Sequence, residues 1–406
     1  MIQNMPIDEC PGGITSPQGF LAGARGCRIR RLTKDVAMIV SEVPAAAAAV
    51  FTQNKTQAAP ITVSKSQLKK SPYCSAVIVN SGNANACTGE RGLNDAWEMV
   101  RTTATALGIP EDQVVVSSTG VIGQYLPMER ILPCIAALAS EVTRDGGRDA
   151  AQAIMTTDTY AKEVAVTFSL GNSVVTIGAM AKGSGMIAPN MATMLGFVTT
   201  DAAISQPLLA KALHTANAKS FNRITVDGDM STNDMVIILA NGLAKNAPIA
   251  EHTEEYTLFV AALEYVLIKL AKMIARDGEG ATKLIEINVI GGTTEDEAAR
   301  VAGAVANSNL VKTAIHGRDA NWGRIMAAVG YSGVDFDPEQ VEIFFNDLPI
   351  LGKNYAILLD EEKATQVLGE ENIVITIHLN QGSWGARFWT CDLSKEYVHI
   401  NASYRS

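Results

Sequence analysis

Histidine is scarce in this 406-residue chain: the five residues His214, His252, His316, His378 and His399 show no spacing with cysteine or carboxylate of the kind a zinc site uses. A metal centre is not expected. The six cysteines, Cys10, Cys27, Cys74, Cys87, Cys134 and Cys391, form no Cys-x-x-Cys pair. A chain this long needs no disulfide to hold a core, so reduced thiols in a cytosolic compartment are expected. A basic surplus is lacking too, since 33 Lys and Arg against 42 Asp and Glu leave a net charge of −9. Such a balance offers nothing to a phosphate backbone or an anionic bilayer, which argues against nucleic-acid and membrane partners. No apolar run approaches the ~20 residues that span a bilayer. Asp8 and Glu9 stand where a secretory leader would be basic. A soluble, untargeted protein is expected.

Two familiar catalytic signatures are also missing. There is no Gly-x-Ser-x-Gly elbow, and the nearest approach to a phosphate loop, Asp277-Gly-Glu-Gly-Ala-Thr-Lys283, lacks the four-residue gap before Gly-Lys. What the chain does have is 47% hydrophobic and 18% charged residues, a globular composition with no low-complexity segment and no internal repeat. Val36 to Val40 reads as a strand, and the alanine run Ala45 to Ala49 after Pro44 as a helix start. Ala76 to Val79, Asn94 to Leu107 and Val114 to Val116 read as strand, helix and strand, a parallel crossover. Its loops, 80–89 and 117–123, then leave one carboxyl edge of a sheet, where α/β proteins place their sites. Residues 164–180 read as a hairpin turning at Gly171-Asn172. The stripe Phe259, Leu263, Val266, Leu270 and Ile274 reads as a helix, followed by a half-buried strand at Ile285, Ile287 and Val289 and a helix over Glu295 to Ala306. The remainder, including Tyr397 to Ile400, reads as β-rich. The class is α/β in one compact body.

Gly183-Ser-Gly185 followed by Met-Ile-Ala-Pro-Asn-Met-Ala-Thr193 is the strongest local feature. Glycines permit unusual backbone angles and Pro189 fixes another, so the segment can hold a strained turn in which a hydroxyl attacks the carbonyl before it. Ala192 leaves room for that attack. A cut at Ala192-Thr193 would give Thr193 a free α-amine with a pKa near 8, against about 10.4 for lysine, and so its own general base. A buried irregular strand explains the same residues. An acyl-transfer nucleophile also needs donors aimed at the oxyanion, which Thr119 and Gly120, just past a buried strand, can supply; an ordinary strand-to-helix turn is the alternative there. Glu279, between two glycines, reads as a carboxylate on a tight turn or as a solvated loop acid.

Taken together, NSGNANACTG at 80–89, SSTGVIG at 117–123, MTTDT at 155–159, KGSGMIAPNMATML at 182–195, DGEGATK at 277–283 and the end from Asn401 to Ser406 resemble the ornithine acetyltransferase, or glutamate N-acetyltransferase, family. The resemblance implies a layered α-β-β-α sandwich of the ornithine acetyltransferase and β-aminopeptidase type. It implies self-cleavage at Ala192-Thr193 into an α chain, 1–192, and a β chain, 193–406, with two of each forming a heterotetramer. It makes Thr193 the nucleophile, Thr119 and Gly120 the oxyanion hole, and Thr156 (or its neighbour Thr157), Lys182, Thr193, Glu279, Asn401 and Ser406 the substrate contacts. The implied reaction passes the acetyl group of N-acetylornithine to glutamate in a ping-pong cycle. No cofactor is required, and acetyl-CoA is a second candidate donor. A Thr-nucleophile amidohydrolase or aminopeptidase, and a non-catalytic metabolite-binding protein, are the other readings.

Overall fold

The computed structural model describes residues 6–30, 34–188 and 194–403. Thr193, Ala192 and Ser406 lie outside them. The chain sorts into two compact units, one from Met1–Gly183, Asn190–Phe221 and Met230–Leu270, the other from Ser184–Pro189, Asn222–Asp229 and Ala271–Ser406.

The first unit is built on a nine-stranded sheet. Its strands are β1 (Asp8–Cys10), β2 (Phe20–Arg25), β3 (Val36–Phe51), β4 (Tyr73–Asn80), β5 (Val114–Ser118), β6 (Lys162–Leu170), β7 (Ser173–Lys182), β8 (Leu195–Thr200) and β9 (Met235–Ala240), in the order β1-β6-β7-β8-β9-β3-β4-β5 with β2 on β3. Successive side chains of a strand point to opposite faces, and here both faces are apolar. Met38, Val40, Ala76 and Ile78 join one cluster with Met99, Val100, Ile131 and Ile135 of the helices Gly89–Leu107 and Met128–Leu138. Ile39, Val77 and Val79 join the other, with Phe197, Ile237 and Leu239. The expected crossover is present: β4 and β5 pair in parallel, with the Gly89–Leu107 helix between them ended by Gly108 at φ 67°. The expected hairpin is β6 and β7, closed by Leu170 opposite Ser173.

The second unit holds a six-stranded mixed sheet of β10 (Leu284–Gly292), β11 (Glu342–Phe345), β12 (Leu348–Gly352), β13 (Ala356–Ile357), β14 (Asn372–His378) and β15 (Trp384–Cys391), ordered β13-β12-β11-β14-β10-β15. Ile285, Ile287, Val289, Ile343, Ile375 and Ile377 bury one face against Val301 and Val305 of the helix Glu295–Ala306. That helix begins where Thr294 accepts the Glu297 N–H, the first half of a capping box. The two sheets with their helices agree with the α/β class.

Three expectations fail. Ala45 to Ala49 is not a helix start but the second half of β3, with Ala46 to Phe51 paired to β9. Alanine favours a helix in isolation, yet here its small side chain fits a strand hydrogen-bonded on both edges. Tyr397 to Ile400 lies in the helix Lys395–Ala402, which Ser394 starts by accepting the Glu396 N–H. The β-branched Val398 and Ile400 suggested a strand, but the cap decides the local structure. Finally, Cys27 and Cys134 form a disulfide with Cα atoms 5.9 Å apart. A separation of 107 residues hides that proximity from the sequence. Among the described residues no helix is long and apolar enough to cross a membrane.

Candidate active site

In the first unit the loops after β4 and β5 interlock. Asn80, the last residue of β4, accepts the Thr119 N–H on its carbonyl (2.9 Å) and the Ser118 hydroxyl on Oδ1 (2.6 Å). Its own Nδ2 donates to the Asn83 carbonyl at 2.9 Å. Val121 N–H then donates to Gly82 O and Ala84 N–H to Val121 O, so the two loops share a short ladder. These bonds run through the neighbours of Gly120 and leave its N–H outside them. Gly120 takes φ 134°, and a Cβ there would stand 2.3 Å from the Gly82 carbonyl carbon. Only glycine fits this contact. Thr119 is buried, and its hydroxyl has no hydrogen-bond partner among the described residues. A free hydroxyl beside a side-chain-free amide is what an oxyanion site requires.

A polar quartet, Ser231 to Asp234, leads into β9, whose six residues are all buried. Asn233 Nδ2 donates to Ser118 O (2.8 Å), one residue before Thr119, and to Ala84 O (2.6 Å). Its Oδ1 accepts the Thr232 hydroxyl at 2.7 Å. Asp234 Oδ1 accepts the Met194 N–H at 2.8 Å, one residue after Thr193. Asp234 Oδ2 makes no hydrogen bond with the described residues, the neighbouring Thr52 hydroxyl being committed to Ser231 O. Burial pushes the Asp234 pKa well above the usual carboxylate range, against the pull of the Met194 N–H and the Lys182 charge.

Asp158 organises a third group. It accepts Lys162 Nζ at 2.7 Å, Gly183 N–H at 2.7 Å and Thr156 N–H at 3.0 Å, and so ties Thr156 to the end of β7, where Lys182 stands. Asp158 and Lys162 are both buried ion-pair partners. Burial alone would raise the Asp158 pKa, but Lys182, Lys162 and the hydrogen bonds outweigh it and hold it down to about 2. A carboxylate whose folded pKa lies below the unfolded value stabilises above about pH 4, and that contribution is lost as the pH falls towards about 2. Asp158→Asn is expected to lower the unfolding free energy at pH 7 by about 2–3 kcal/mol. In denaturant titrations its deficit should vanish near pH 2; a constant deficit across that range would contradict the ion-pair account.

In the second unit the structure brings Glu279 and Asn401 together, with Asn401 Nδ2 donating to Glu279 Oε2 at 2.7 Å. Asn401 sits on the last turn of the unexpected C-terminal helix and donates also to Tyr397 O, one turn back. Glu279 N–H donates to Ser184 O, and the Ser184 hydroxyl donates to Asp277 O. Gly185 is the cradle for the carboxylate: a Cβ there would lie 2.5 Å from the Glu279 carboxyl carbon. Asp227 accepts the Met186 and Ile187 N–H groups and the Tyr397 hydroxyl. Burial and the adjacent Asp227 raise the Tyr397 pKa, which keeps that hydroxyl a donor. Glu279 is thus a held, 7% exposed acid rather than a solvated one.

Thr119 and Gly120 stand in one corner, Thr156 and Lys182 share Asp158, and Glu279 meets Asn401. Asp158, Lys162, Asn233 and Asp234 escaped the sequence reading. Their signals were a lysine opening β6, a strand buried along most of its length, and four polar residues set against a wholly apolar strand.

The ArgJ family model matches residues 21–406. The arginine biosynthesis bifunctional protein ArgJ of Symbiobacterium thermophilum is 52% identical over 398 residues, covering 97% of this chain and 99% of its own. That of Bacillus subtilis is 49% identical over 400 residues, 98% of each chain. Among solved structures, a chain of the arginine biosynthesis bifunctional protein argJ from Bacillus halodurans is 47% identical, with a TM-score of 0.51, over 52% of this chain and 100% of its own. Identity at this level, over nearly the full length of both sequences, agrees with the motifs: the chain belongs to the ArgJ family.

Proposed function

We infer that this enzyme of arginine biosynthesis moves an acetyl group from N-acetylornithine to glutamate through Thr193. The observation that carries the reading is the Thr119–Gly120 corner, tied through Asn233 and Asp234 to the residue that follows Thr193. Cleavage of Ala192-Thr193 frees the α-amine. The Thr193 oxygen attacks the acetyl carbonyl, the α-amine takes the hydroxyl proton, and Thr119 and Gly120 donate to the oxyanion. Collapse breaks the amide C–N bond and passes the proton to the departing ornithine amine, leaving an acetyl-Thr193 ester. The glutamate amine attacks that ester, and N-acetylglutamate leaves as the proton returns to the Thr193 oxygen. Acetyl-CoA can enter the same ester intermediate by loss of its thiol, which suits the bifunctional name of the relatives.

Charge supports the assignment of substrate contacts. Lys182 stands at the end of β7 near the buried Asp158, and its ammonium suits a substrate carboxylate. Glu279, with Asn401 beside it, suits the substrate ammonium, and Thr156 and Ser406 complete the contacts. Lys182→Ala and Glu279→Ala are each expected to raise KM for both amino acid substrates at least about tenfold, the loss of one charge-assisted hydrogen bond. Unchanged KM values would remove these roles.

Intact-mass measurement with amino-terminal sequencing, followed by a product assay, tests the whole reading. Two chains, the second starting at Thr193, and N-acetylglutamate as product are expected, with a native mass near twice 43.1 kDa for the α2β2 assembly. Free acetate as the main product would instead mark an amidohydrolase. A single chain of 43.1 kDa would defeat the Thr193 mechanism.

A further inference from the structure

We propose that Asn233 and Asp234 are positioning residues that set the nucleophile against the oxyanion corner. The inference rests on the Thr193 reading and extends it to two residues that touch neither acetyl group nor substrate.

The two side chains are adjacent in sequence and reach opposite halves of the reaction. Asn233 holds Ser118 O, the carbonyl immediately before Thr119, and Ala84 O on the partner loop. Asp234 holds the Met194 N–H, the amide immediately after Thr193. One peptide bond therefore links the reference point of the nucleophile to that of the oxyanion donors. Alignment of reacting groups is sensitive at this scale, since a misplacement of about 1 Å costs about 10²-fold in rate.

The brace is itself fixed. Asn233 N–H donates to the Ser231 hydroxyl at 3.0 Å and its Oδ1 accepts from Thr232, so the amide orientation that points Nδ2 at Ser118 and Ala84 is settled by its neighbours. The Asp234 carbonyl accepts the Thr52 N–H at 3.0 Å, which pins the segment to the strand next door. Both residues are buried, at 3% and 0% exposure, where a polar side chain is costly without a purpose. The ladder alone does not require them: β8 and β9 already pair from Leu195 and Met235 onward. The side chains extend the alignment past the end of that ladder, towards the residues where the acyl group is handled.

The test compares Asn233→Ser, Asp234→Ala and Asp234→Asn with Thr193→Ala, following cleavage at Ala192-Thr193, kcat, KM and thermal melting. Asn233→Ser and Asp234→Ala are expected to slow cleavage and to lower kcat of the cleaved fraction about 10²-fold, with both KM values within threefold of wild type. Asp234→Asn keeps an Oδ1 acceptor for the Met194 N–H and should recover cleavage and kcat to within tenfold. Should Asp234→Ala not fold, Asn233→Ser decides alone, because it removes the amide's bonds to Ser118, Ala84 and Thr232 and leaves the Asp234 bond to the Met194 N–H in place. Normal kcat in folded Asn233→Ser, or a fall in melting temperature with no change in kcat, overturns the proposal while an inactive Thr193→Ala leaves the Thr193 reading standing. An active, cleaved Thr193→Ala overturns both.

Discussion

Thr193→Ala is expected to yield one chain of 43.1 kDa and to lose acetyl transfer by at least about 10⁴-fold. The magnitude follows from losing two things at once. Without the hydroxyl no ester can form, and without cleavage no α-amine exists to take the proton, a general-base contribution of about 10²–10⁴ by itself. Thr193→Ser separates the two losses from a general disturbance of the fold. It keeps a hydroxyl for cleavage and, after cleavage, an amine with a pKa near 8, so it should mature and retain measurable turnover. Intact mass and initial rates on the same preparations check both variants. A Thr193→Ala protein that still matures into two chains beginning at residue 193 would mean that another group performs the cut.

The periodic parts of this chain announce themselves. Alternation at Ile285, Ile287 and Val289 and the stripe from Phe259 to Ile274 found their strand and helix because one face of each is buried. The alanines of β3 did not, since their strand state comes from β4 and β9 on either side, which lie far away in sequence. The helix bearing Asn401 was concealed by its β-branched residues, the exposed Val398 and the half-buried Ile400. At the candidate site Gly120 was legible, because a glycine just past a buried strand answers a backbone need, whereas Gly185 takes no left-handed angle and instead leaves room for the Glu279 carboxylate. The buried polar residues were not. Asp158 gains its meaning only when Lys162, Gly183 and Thr156 N–H converge on it, and Asn233 only when two loops present carbonyls to its amide. Such convergence is a property of the folded chain.

Gly120→Ala should bring the second of the two large losses. The new Cβ would lie 2.3 Å from the Gly82 carbonyl carbon, 2.5 Å from the Asn83 nitrogen and 2.7 Å from the Gly82 Cα. All three are backbone atoms of the interlocked loop, so no side-chain rotation relieves the contact, and φ at 134° is unfavourable for alanine in any case. The corner must open, and the Gly120 amide and Thr119 hydroxyl then lose their common aim. Removing one oxyanion donor costs about 10²–10³ in kcat, so Gly120→Ala, which displaces both, should lose at least 10³-fold. Gly123→Ala on the same loop is the control. Its φ is 81°, yet a Cβ there meets nothing within 4 Å. It carries the backbone strain of about 1–2 kcal/mol without the collision and should keep near-normal kcat. Thr119→Val completes the set by removing the hydroxyl with little change of shape, and should fall about 10²–10³-fold with the loops in place. If Gly120→Ala turned over as fast as Gly123→Ala, the close approach of the two loops would have no part in the chemistry, and the oxyanion donors would have to be sought elsewhere.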